Sequence, residues 1–411
     1  MSIIVQKYGG SSVADTNRIK AVAERIKASV IEGNTVVVVV SAMGNSTDEL
    51  LRLAHSVSLT PDARELDLLL STGEMISCSL IAMALQEIQV DAISMDGAQA
   101  GIRTDKSFGE ASIISLDPSR VQKELSSGKV VIVAGFQGIA DDLSTTTLGR
   151  GASDLTAVAL AAALKAQYCA VYTDVEGIYT ADPRVVPNAR KIPEIGYEEM
   201  LELASYGAKM QPRSIELAAW YKVPILVASS MSTASGTLIH DTNSNHKKGE
   251  QMEVRNKVSG VASEKGIARI TIRAVPDTPG IAALIFEPLS AAGISVDTIV
   301  QNASAERLTD LSFTVSQKDA NGAISIVRSI AENIGAREVV NDDNLGNVSI
   351  VGTGMQNGTG FASTMFRALK NANVNIEMIT TSQIRITCIV DESRVEDAVI
   401  ALHDAFSLDQ G

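Results

Sequence analysis

The sequence has few cysteine and histidine residues, and none is spaced as metal ligands are. The three cysteines, Cys78, Cys169 and Cys388, lie far apart in apolar stretches and form no C-x-x-C pair. We therefore expect them to be reduced side chains of the core, which favours a reducing compartment. The histidines show no metal-ligand spacing either, and we expect all four at the surface: His55, His240, His246 and His403. We predict no metal site built from protein side chains.

Excess positive charge and long apolar runs are also missing. The net charge of −13 argues against a nucleic-acid-binding surface, and an anionic substrate would need a locally basic pocket. The longest unbroken apolar runs, such as residues 36–40, are far shorter than a membrane span. The first residues lack the pattern of a signal peptide. We expect a cytoplasmic protein of two or three domains that binds neither nucleic acid nor membrane.

Residues 1–240 alternate between strand-like and helix-like stretches. Short β-branched runs, typical of buried parallel strands, lie at residues 3–6, 36–40, 130–134, 169–172 and 223–227. Amphipathic stretches between them include residues 16–31, 64–86 and 155–166. This alternation predicts an α/β sandwich with ligand sites at the carboxyl ends of the strands.

The remainder of the chain contains an internal repeat. A polar stretch without periodicity at residues 241–255 predicts a linker. Two similar segments then begin at Gly280 and Gly360, 80 residues apart, and each reads as a glycine turn, an amphipathic helix and a strand. The paired positions are Phe286 with Phe366, Leu289 with Leu369, Ile294 with Val374, and Ile299 with Ile379. Coincidental patterning is the alternative, but a gap-free match favours two small packed modules, at residues 256–340 and 341–411.

The first motif, QKYGGSSV, joins a strand to a helix. Gly9 and Gly10 would let backbone amides approach a phosphate, and Lys7 would place a positive charge beside them. Since the lysine precedes the glycines, this is not the phosphate loop of Walker-type NTPases. An ordinary turn with an exposed lysine is the alternative.

Two further motifs lie at or near helix starts. In VVVSAMGNSTDEL, a buried strand ends at Ser41, and Ser46, Thr47 or Asp48 would cap the next helix. Capping alone would account for these residues. In TTTLGRGASDL, Ser153 is the expected N-cap of a long apolar helix, and Arg150 between two glycines can clamp a carboxylate. Capping alone would not need an arginine between two glycines, so we favour an anion site here.

Glu74 lies on an apolar helical face with Leu70, Cys78 and Ile81. A carboxylate there is costly unless a cation meets it, so we favour a site for a substrate ammonium group. The alternative is a glutamate in the first helical turn, stabilised by the helix dipole. After a later strand, Thr173 and Asp174 begin a loop of the kind that holds a nucleotide, in which Arg184 could contact phosphates.

Together, five ordered motifs resemble the aspartate kinase family over nearly the whole chain. They are KYGGSSV at residues 7–13, VSAM at 40–43, GE at 73–74, TLGRGASD at 147–154 and YTADPR at 179–184. The resemblance implies an amino-acid-kinase three-layer α/β sandwich followed by two ACT-type βαββαβ modules. It also implies the first step of lysine, threonine and methionine biosynthesis, in which ATP with Mg²⁺ phosphorylates the side-chain carboxylate of L-aspartate.

The resemblance also implies roles for individual residues. Lys7, Asp154 and Lys209 would be catalytic, and no general base is needed because the acceptor carboxylate, with a pKa of about 3.9, is already ionised. Residues on the ATP side would be Lys7, Gly9, Gly10, Ser11, Thr173, Asp174, Tyr179, Asp182 and Arg184. Residues on the aspartate side would be Ser41, Thr47, Glu74, Arg150, Gly151 and Ser153.

In the repeat, the resemblance implies effector sites for lysine, threonine or both. The expected residues are Asp277, Gly280, Ile281, Ala282, Gln301, Asn302, Asn375, Ile376, Thr381 and Ser382. The alternative is that the modules only dimerise. We expect a homodimer or higher homo-oligomer formed through them.

The sequence departs from the family pattern at two places. GAKMQPRS is one residue shorter than in most members. A residue missing from a helix would turn everything beyond it by about 100°, which would alter the placement of Lys209 and Arg213 and with it the catalytic efficiency. The second repeat lacks a proline before its glycine, so the first effector site is the better candidate. Two alternatives stay open: another amino-acid kinase, such as acetylglutamate kinase, or an effector-binding regulatory subunit whose kinase domain is weak or silent.

Overall fold

The computed structural model of the chain describes residues 2–242, 258–302, 308–356 and 358–410. The chain forms two compact units. Unit 1 comprises Met1–Ile178, Lys191–Ala204 and Lys209–Glu250, and unit 2 comprises Tyr179–Arg190, Ser205–Ala208 and Gln251–Gly411. Most of the predicted linker lies outside the described residues, and the domain boundaries remain a prediction.

Unit 1 is an α/β fold whose helices and strands follow closely from the sequence. Its strands are β1 (Ile3–Tyr8), β2 (Thr35–Val40), β3 (Ala92–Met95), β4 (Ile102–Thr104), β5 (Ile113–Leu116), β6 (Val130–Ala134), β7 (Gln137–Ile139), β8 (Thr145–Thr147), β9 (Cys169–Thr173), β10 (Glu194–Gly196), β11 (Ile225–Ser229) and β12 (Thr237–His240). Its helices are α1 (Thr16–Ile31), α2 (Ser46–Val57), α3 (Ala63–Glu87), α4 (Ser119–Ser126), α5 (Ser153–Leu164), α6 (Tyr197–Ser205) and α7 (Pro212–Tyr221).

An eight-stranded sheet forms the centre of unit 1, in the order β10-β12-β11-β9-β1-β2-β6-β3. The neighbours β9, β1, β2 and β6 are parallel, so their carboxyl ends lie at one edge. Ile4, Tyr8 and Val38 pack against α1 and α3 on one face, while α5 contacts β1 and β2. This arrangement confirms the three-layer sandwich. A smaller sheet, β5-β4-β7-β8, lies beside it.

Within the described residues, α3 is the one helix long and apolar enough to cross a membrane by length and composition. Half of its most apolar window is buried inside the protein. Two carboxylates, Asp67 and Glu74, lie among its buried residues. The helix is thus a core element of unit 1, which explains its apolar composition.

Unit 2 contains the repeat and forms one six-stranded sheet. Its strands are β13 (Gly260–Pro276), β14 (Ile299–Gln301), β15 (Leu308–Ser316), β16 (Glu338–Val351), β17 (Met378–Thr381) and β18 (Arg385–Asp391), in the order β14-β15-β13-β16-β18-β17. Its helices are α8 (Ile281–Ala291), α9 (Ala320–Ile334), α10 (Phe361–Asn371) and α11 (Val395–Ala405).

The two copies of the repeat have equivalent structures. Helices α8 and α10 begin after Gly280 and Gly360, which both adopt left-handed backbone angles, with φ of 93° and 96°. Leu289 and Leu369 are fully buried in the cores of their modules. The sequence did not reveal that the modules share strands. Residues 260–265, at the start of β13, pair with residues 346–351 at the end of β16. This segment therefore adds a strand to the second module, although it precedes the first module in the sequence.

Two expectations about local structure were wrong. Helix α2 has Asn45 as its N-cap, without a side-chain cap bond, and Ser46 instead donates to the carbonyl of Met43. The N-cap of α5 is Ala152, and Ser153 is the first helical residue. In both places a tight glycine-containing turn leads into the helix and shifts its start by a residue or more.

We expected all four histidines at the surface. Among those that the structure describes, only His55 is exposed. His240 and His403 are buried, because the first ends a strand of the main sheet and the second lies on the inner face of α11. His246 lies outside the described residues. All three cysteines are unpaired and buried, as predicted.

Candidate functional site

The site begins where the parallel strands of unit 1 end. The amide of Ser41, after β2, donates to the last carbonyl of β1 at 3.1 Å, and the amide of Gly9, after β1, donates to Tyr172 in β9 at 3.2 Å. The amide that follows β6 donates in the same way to the end of β2 at 2.9 Å. These bonds hold four loops at one edge of the sheet, where ligands of such folds bind.

The glycine loop after β1 lies close to neighbouring backbone. A Cβ atom on Gly10 would stand 2.8 Å from the carbonyl oxygen of Ala42, and the amide of Gly44 donates to Gly10 at 3.1 Å. A short 3₁₀ helix, Gly10–Val13, follows directly. A glycine is therefore required at Gly10 by packing. The turn lies beside Lys7, whose Nζ is 3.5 Å from where a Gly9 Cβ would be.

Lys7 and Asp154 form a shielded ion pair. Lys7 Nζ lies 2.8 Å from Asp154 Oδ1, and both side chains are about nine-tenths buried. Lys7 comes from β1 and Asp154 from the first turn of α5. The structure thus brings together two of the predicted catalytic residues and fixes the lysine ammonium at the carboxyl edge of the sheet.

Glu74 is a buried carboxylate with one unsatisfied oxygen. It is 3% exposed, and its Oε1 accepts a 3.1 Å hydrogen bond from the amide of Ala42. Among the described residues, nothing donates to Oε2. Burial raises the pKa of Glu74 to about 7, although the Ala42 amide opposes the shift. Because α3 begins at Ala63, Glu74 lies in the middle of the helix, so the first-turn alternative is wrong.

Arg150 lies at the tip of the loop between β8 and α5. Its neighbours Gly149 and Gly151 adopt positive φ values of 94° and 76°, which favour glycine. The arginine side chain is 75% exposed, and its Nη2 lies 2.6 Å from Oδ1 of Asp48, the residue after Thr47 in α2. The arginine is therefore accessible to an anion that competes with Asp48.

Ser41 and Ser153 lie on the inner side of this region. Ser41 directly follows β2, and Ser153 is buried against Gly135, where a Cβ would stand 2.7 Å from its Oγ. Both hydroxyls thus belong to the strand-end edge predicted for the aspartate side.

Lys209 lies close to Asp174, which directly follows Thr173, the last residue of β9. Lys209 Nζ is 3.7 Å from Asp174 Oδ2, and Thr173 Oγ1 donates to Asp174 at 3.1 Å. Lys209 stands in the non-helical connection between α6 and α7. The expectation that a missing residue would rotate a helix was therefore wrong, since α7 begins only at Pro212 and no helix runs from Lys209 to Arg213.

The other predicted nucleotide residues lie in unit 2. Tyr179, Asp182 and Arg184 belong to the segment Tyr179–Arg190. Arg184 donates to both carboxylate oxygens of Asp182, with Nε at 3.0 and 3.1 Å. Ala181 and Val186 of the same segment pack in the core of the second module.

The predicted effector residues fall into groups at strand ends. Asp277 and Gly280 follow β13. Gln301 ends β14, which runs in the same direction, and Asn302 follows it. Ile281 and Ala282 begin α8. In the second module, Thr381 and Ser382 lie at the end of β17, whereas Asn375 and Ile376 precede its start. The structure thus separates these two pairs by the length of a strand.

Sequence reasoning missed Asp67 altogether. It named Asp48 and Arg213 but did not predict that Asp48 contacts Arg150 or that Arg213 binds the carbonyls of Leu148 and Ala111. Asp67 is buried on α3, on the same face as Glu74. It accepts hydrogen bonds from Thr147 and Gly109. A second carboxylate on an apolar helical face was the signal that could have identified it.

Comparison with known proteins agrees with this geometry. The amino acid kinase family matches residues 2–229, and the ACT domain matches residues 271–329 and 348–406. The aspartate kinase of Stutzerimonas stutzeri is 48% identical over 410 residues, covering 100% of this chain and 98% of the relative.

Solved structures are also similar. E. coli aspartokinase III in complex with aspartate and ADP aligns with a TM-score of 0.84 at 27% identity, covering 98% of this chain and 100% of that one. The same enzyme with lysine and aspartate aligns with a TM-score of 0.71 at 27% identity, covering 98% and 99%.

Proposed function

The chain belongs to the aspartate kinase family, and on that premise we propose that it transfers the γ-phosphoryl group of ATP to the side-chain carboxylate of L-aspartate. The product is 4-phospho-L-aspartate, at the first step of lysine, threonine and methionine biosynthesis. The nucleotide enters as its magnesium complex, in which the metal neutralises phosphate charge.

The observation that carries this proposal is the unsatisfied oxygen of Glu74. A buried carboxylate costs free energy unless a donor or a cation meets it. The α-ammonium of an amino acid supplies both, and an acetylated amine supplies no cation. Glu74 therefore favours a free amino acid over N-acetylglutamate as the acceptor.

The second recognition group is Arg150. Its guanidinium already holds a carboxylate, that of Asp48, at 2.6 Å. The α-carboxylate of aspartate can take the place of Asp48 and accept two parallel hydrogen bonds. Glu74 and Arg150 would then fix both α-substituents and leave the side-chain carboxylate free to react.

The reaction needs alignment of two anions and no proton transfer. An oxygen of the aspartate side chain forms a bond to the γ-phosphorus while the bond to the β-phosphate oxygen breaks, and ADP leaves with the electron pair. Lys7 and the amides of Gly10 and Ser11 would bind the transferred group, whereas the amide of Gly9 donates to Tyr172 and holds the loop in place. Asp154 holds Lys7 in place at 2.8 Å, and Lys209 would add charge on the nucleotide side.

We further propose that unit 2 binds lysine, threonine or both, and that the protein is a cytoplasmic homodimer or higher homo-oligomer. The glycine turns at Gly280 and Gly360 support a pair of related sites, because each glycine is the N-cap of a helix, α8 in the first module and α10 in the second. Of the two, the first module retains the full D-x-P-G turn at residues 277–280.

The test is to trap acyl phosphate with hydroxylamine, using purified protein, MgATP and aspartate, glutamate or N-acetylglutamate. Each acid is tested with and without lysine and threonine. Product with aspartate alone, reduced by one or both effectors, supports the proposal. Product with N-acetylglutamate would point to a different acid kinase. No product from protein that still binds lysine or threonine would make the chain a regulatory subunit.

A further inference from the structure

We infer that Asp67 and Arg213 are positioning residues that fix the base of the loop carrying Arg150, and thereby set the affinity for aspartate. The inference rests on the proposed function, since it assigns Arg150 to the substrate carboxylate. Neither residue needs to touch the substrate. Both act on the segment that precedes Arg150.

Asp67 holds this segment from the side of α3. It is 1% exposed, and its carboxylate accepts from the amide of Thr147 at 2.7 Å and from the Thr147 hydroxyl at 2.8 Å. Both of its oxygens also accept from the amide of Gly109, at 3.0 Å. One buried side chain therefore joins the end of β8 to the turn at Gly109 by charge-assisted hydrogen bonds.

Arg213 holds the same two segments from α7. Its Nη1 donates to the carbonyl of Leu148 at 2.7 Å, and its Nη2 donates to the carbonyl of Ala111 at 3.0 Å. The amide of Ala111 in turn donates to Thr147 at 2.9 Å. Asp67 and Arg213 thus bind the same two neighbouring segments of the chain. Asp67 accepts from Thr147 and Gly109, and Arg213 donates to Leu148, the residue after Thr147, and to Ala111, two residues after Gly109.

The anchored base determines where Arg150 can reach. Leu148 is fully buried in a cluster with Leu70 and Leu155. Beyond it, the loop contains two glycines around Arg150, with positive φ values. Glycine restricts the backbone less than any other residue, so the direction of Arg150 depends on how firmly the chain is held at Thr147 and Leu148.

Helix α3 then links both ends of the substrate. Asp67 and Glu74 are seven residues apart and lie on one face of the helix. The helix presents Glu74 to the ammonium group and, through Asp67, holds the loop that presents Arg150 to the carboxylate. The distance between Glu74 and Arg150 is therefore set by one helix, α3, which carries Glu74 and anchors the loop of Arg150.

The experiment measures kcat and the KM values for aspartate and for ATP in the full chain, with aspartate affinity determined separately by calorimetry. The variants are Asp67→Asn, Arg213→Lys, and the pair Thr147→Val and Thr147→Ser. We expect Asp67→Asn and Arg213→Lys to raise the KM for aspartate tenfold or more, with the KM for ATP within twofold of the parent. Thr147→Val removes one bond to Asp67 and should raise the KM for aspartate, while Thr147→Ser, which keeps the hydroxyl, should restore it.

Asp62→Ala is the matched control on the same helix. Asp62 caps α3 by accepting from the amides of Arg64 and Glu65, so its loss lowers stability without touching the loop. Its KM for aspartate should stay at the parent value. If Asp67→Asn does not fold, the comparison of Thr147→Val with Thr147→Ser still tests the inference.

Two results would overturn the inference: equal rises in the KM values for aspartate and ATP, or weakened aspartate binding in Asp62→Ala to the same degree as in Asp67→Asn. Either result would show that Asp67 and Arg213 contribute only to the stability of the fold. A parent protein that binds aspartate but forms no acyl phosphate would contradict the proposed function, while the binding affinities would still decide the inference. A parent that does not bind aspartate would contradict both.

Discussion

At the scale of single residues, Glu74 destabilises the free protein. Its carboxylate is buried, and its Oε2 has no donor among the described residues. Folding raises the pKa of Glu74 from its ordinary value of 4.5 to about 7. Between these two pH values, the folded state therefore keeps a proton on Glu74 that the unfolded chain has released. Stability therefore falls as the pH rises from about 4.5 to 7, and remains reduced above that range. Such a cost is typical of a site that a ligand completes.

The first prediction concerns the pH dependence of aspartate binding. Protonated Glu74 cannot attract an ammonium group, so the KM for aspartate should rise as the pH falls below 7, by up to about tenfold per pH unit. Glu74→Gln should raise the KM for aspartate at pH 8 and remove this dependence. It should also increase the free energy of unfolding at pH 8, by on the order of 1–3 kcal/mol.

Steady-state kinetics from pH 6 to 8.5 and urea unfolding at pH 8 would check this prediction. The KM for ATP serves as the internal control, because the proposed function assigns Glu74 to the ammonium group of aspartate. A pH profile for aspartate that is identical in Glu74→Gln and the parent would show that another group controls binding.

The second prediction concerns the pair Lys7 and Asp154. Lys7→Met removes the charge that would stabilise the transferred phosphoryl group, so kcat should fall by about 10²–10³-fold. Asp154→Asn leaves the lysine in place but without its anchor, so a smaller fall in kcat is expected. Lys20→Met, at an exposed position of α1, is the matched control. Rapid-quench measurement of phosphoryl transfer would separate chemistry from product release, and an unchanged transfer rate in Lys7→Met would contradict the assigned role.

At the scale of elements, the sequence predicted most of unit 1. Helix α1 has the bounds expected from its amphipathic pattern, and β6 those expected from its β-branched run. Local patterns suffice here because burial on a parallel sheet imposes a long apolar run or a clear helical period. The helix caps were wrong because they depend on the path of the preceding loop, which propensities do not fix. Asp67 was missed because its hydrogen bonds join segments distant in sequence.

The third prediction concerns His403, on the inner face of α11. Its ring is fully buried, and Nε2 lies 2.9 Å from the hydroxyl of Thr180, in the segment Tyr179–Arg190. Burial lowers the pKa of His403 below 6.5, although Asp404 and Asp409 oppose the shift. The unfolded chain therefore binds more protons than the folded one below pH 6.5, and unit 2 should lose stability as the pH falls through that range.

His403→Gln keeps a polar partner for Thr180 but cannot titrate. Compared with the parent, its urea midpoint should change less between pH 7.5 and pH 5.5. His55→Gln, at an exposed position of α2, is the matched control and should behave like the parent. If His403→Gln loses as much stability on acidification as the parent does, other groups govern the acid sensitivity.

At the scale of the whole molecule, the order of the domains followed from the sequence but their strand composition did not. The 80-residue offset located both modules, and the helices α8 and α10 confirm it. Residues 260–265 precede the first module yet pair with residues 346–351 of the second. The segment Tyr179–Arg190 likewise packs with the second module although its motif belongs to the kinase half. Both features rest on contacts between distant segments, which a local pattern cannot reveal.

The final prediction asks which module senses the effector. Gly280 and Gly360 have nearly equal φ values, 93° and 96°, and a Cβ at either would meet no atom closer than 4.0 Å. Gly→Ala therefore imposes the same backbone strain, about 1 kcal/mol, at two equivalent turns. We expect Gly280→Ala to raise the lysine or threonine concentration needed for half-maximal inhibition several-fold, while Gly360→Ala, the matched control, leaves it near the parent value. The measurement is the ratio of acyl-phosphate formation with and without effector. Equal shifts in both variants would assign sensing to both modules, and a larger shift in Gly360→Ala would reverse the assignment.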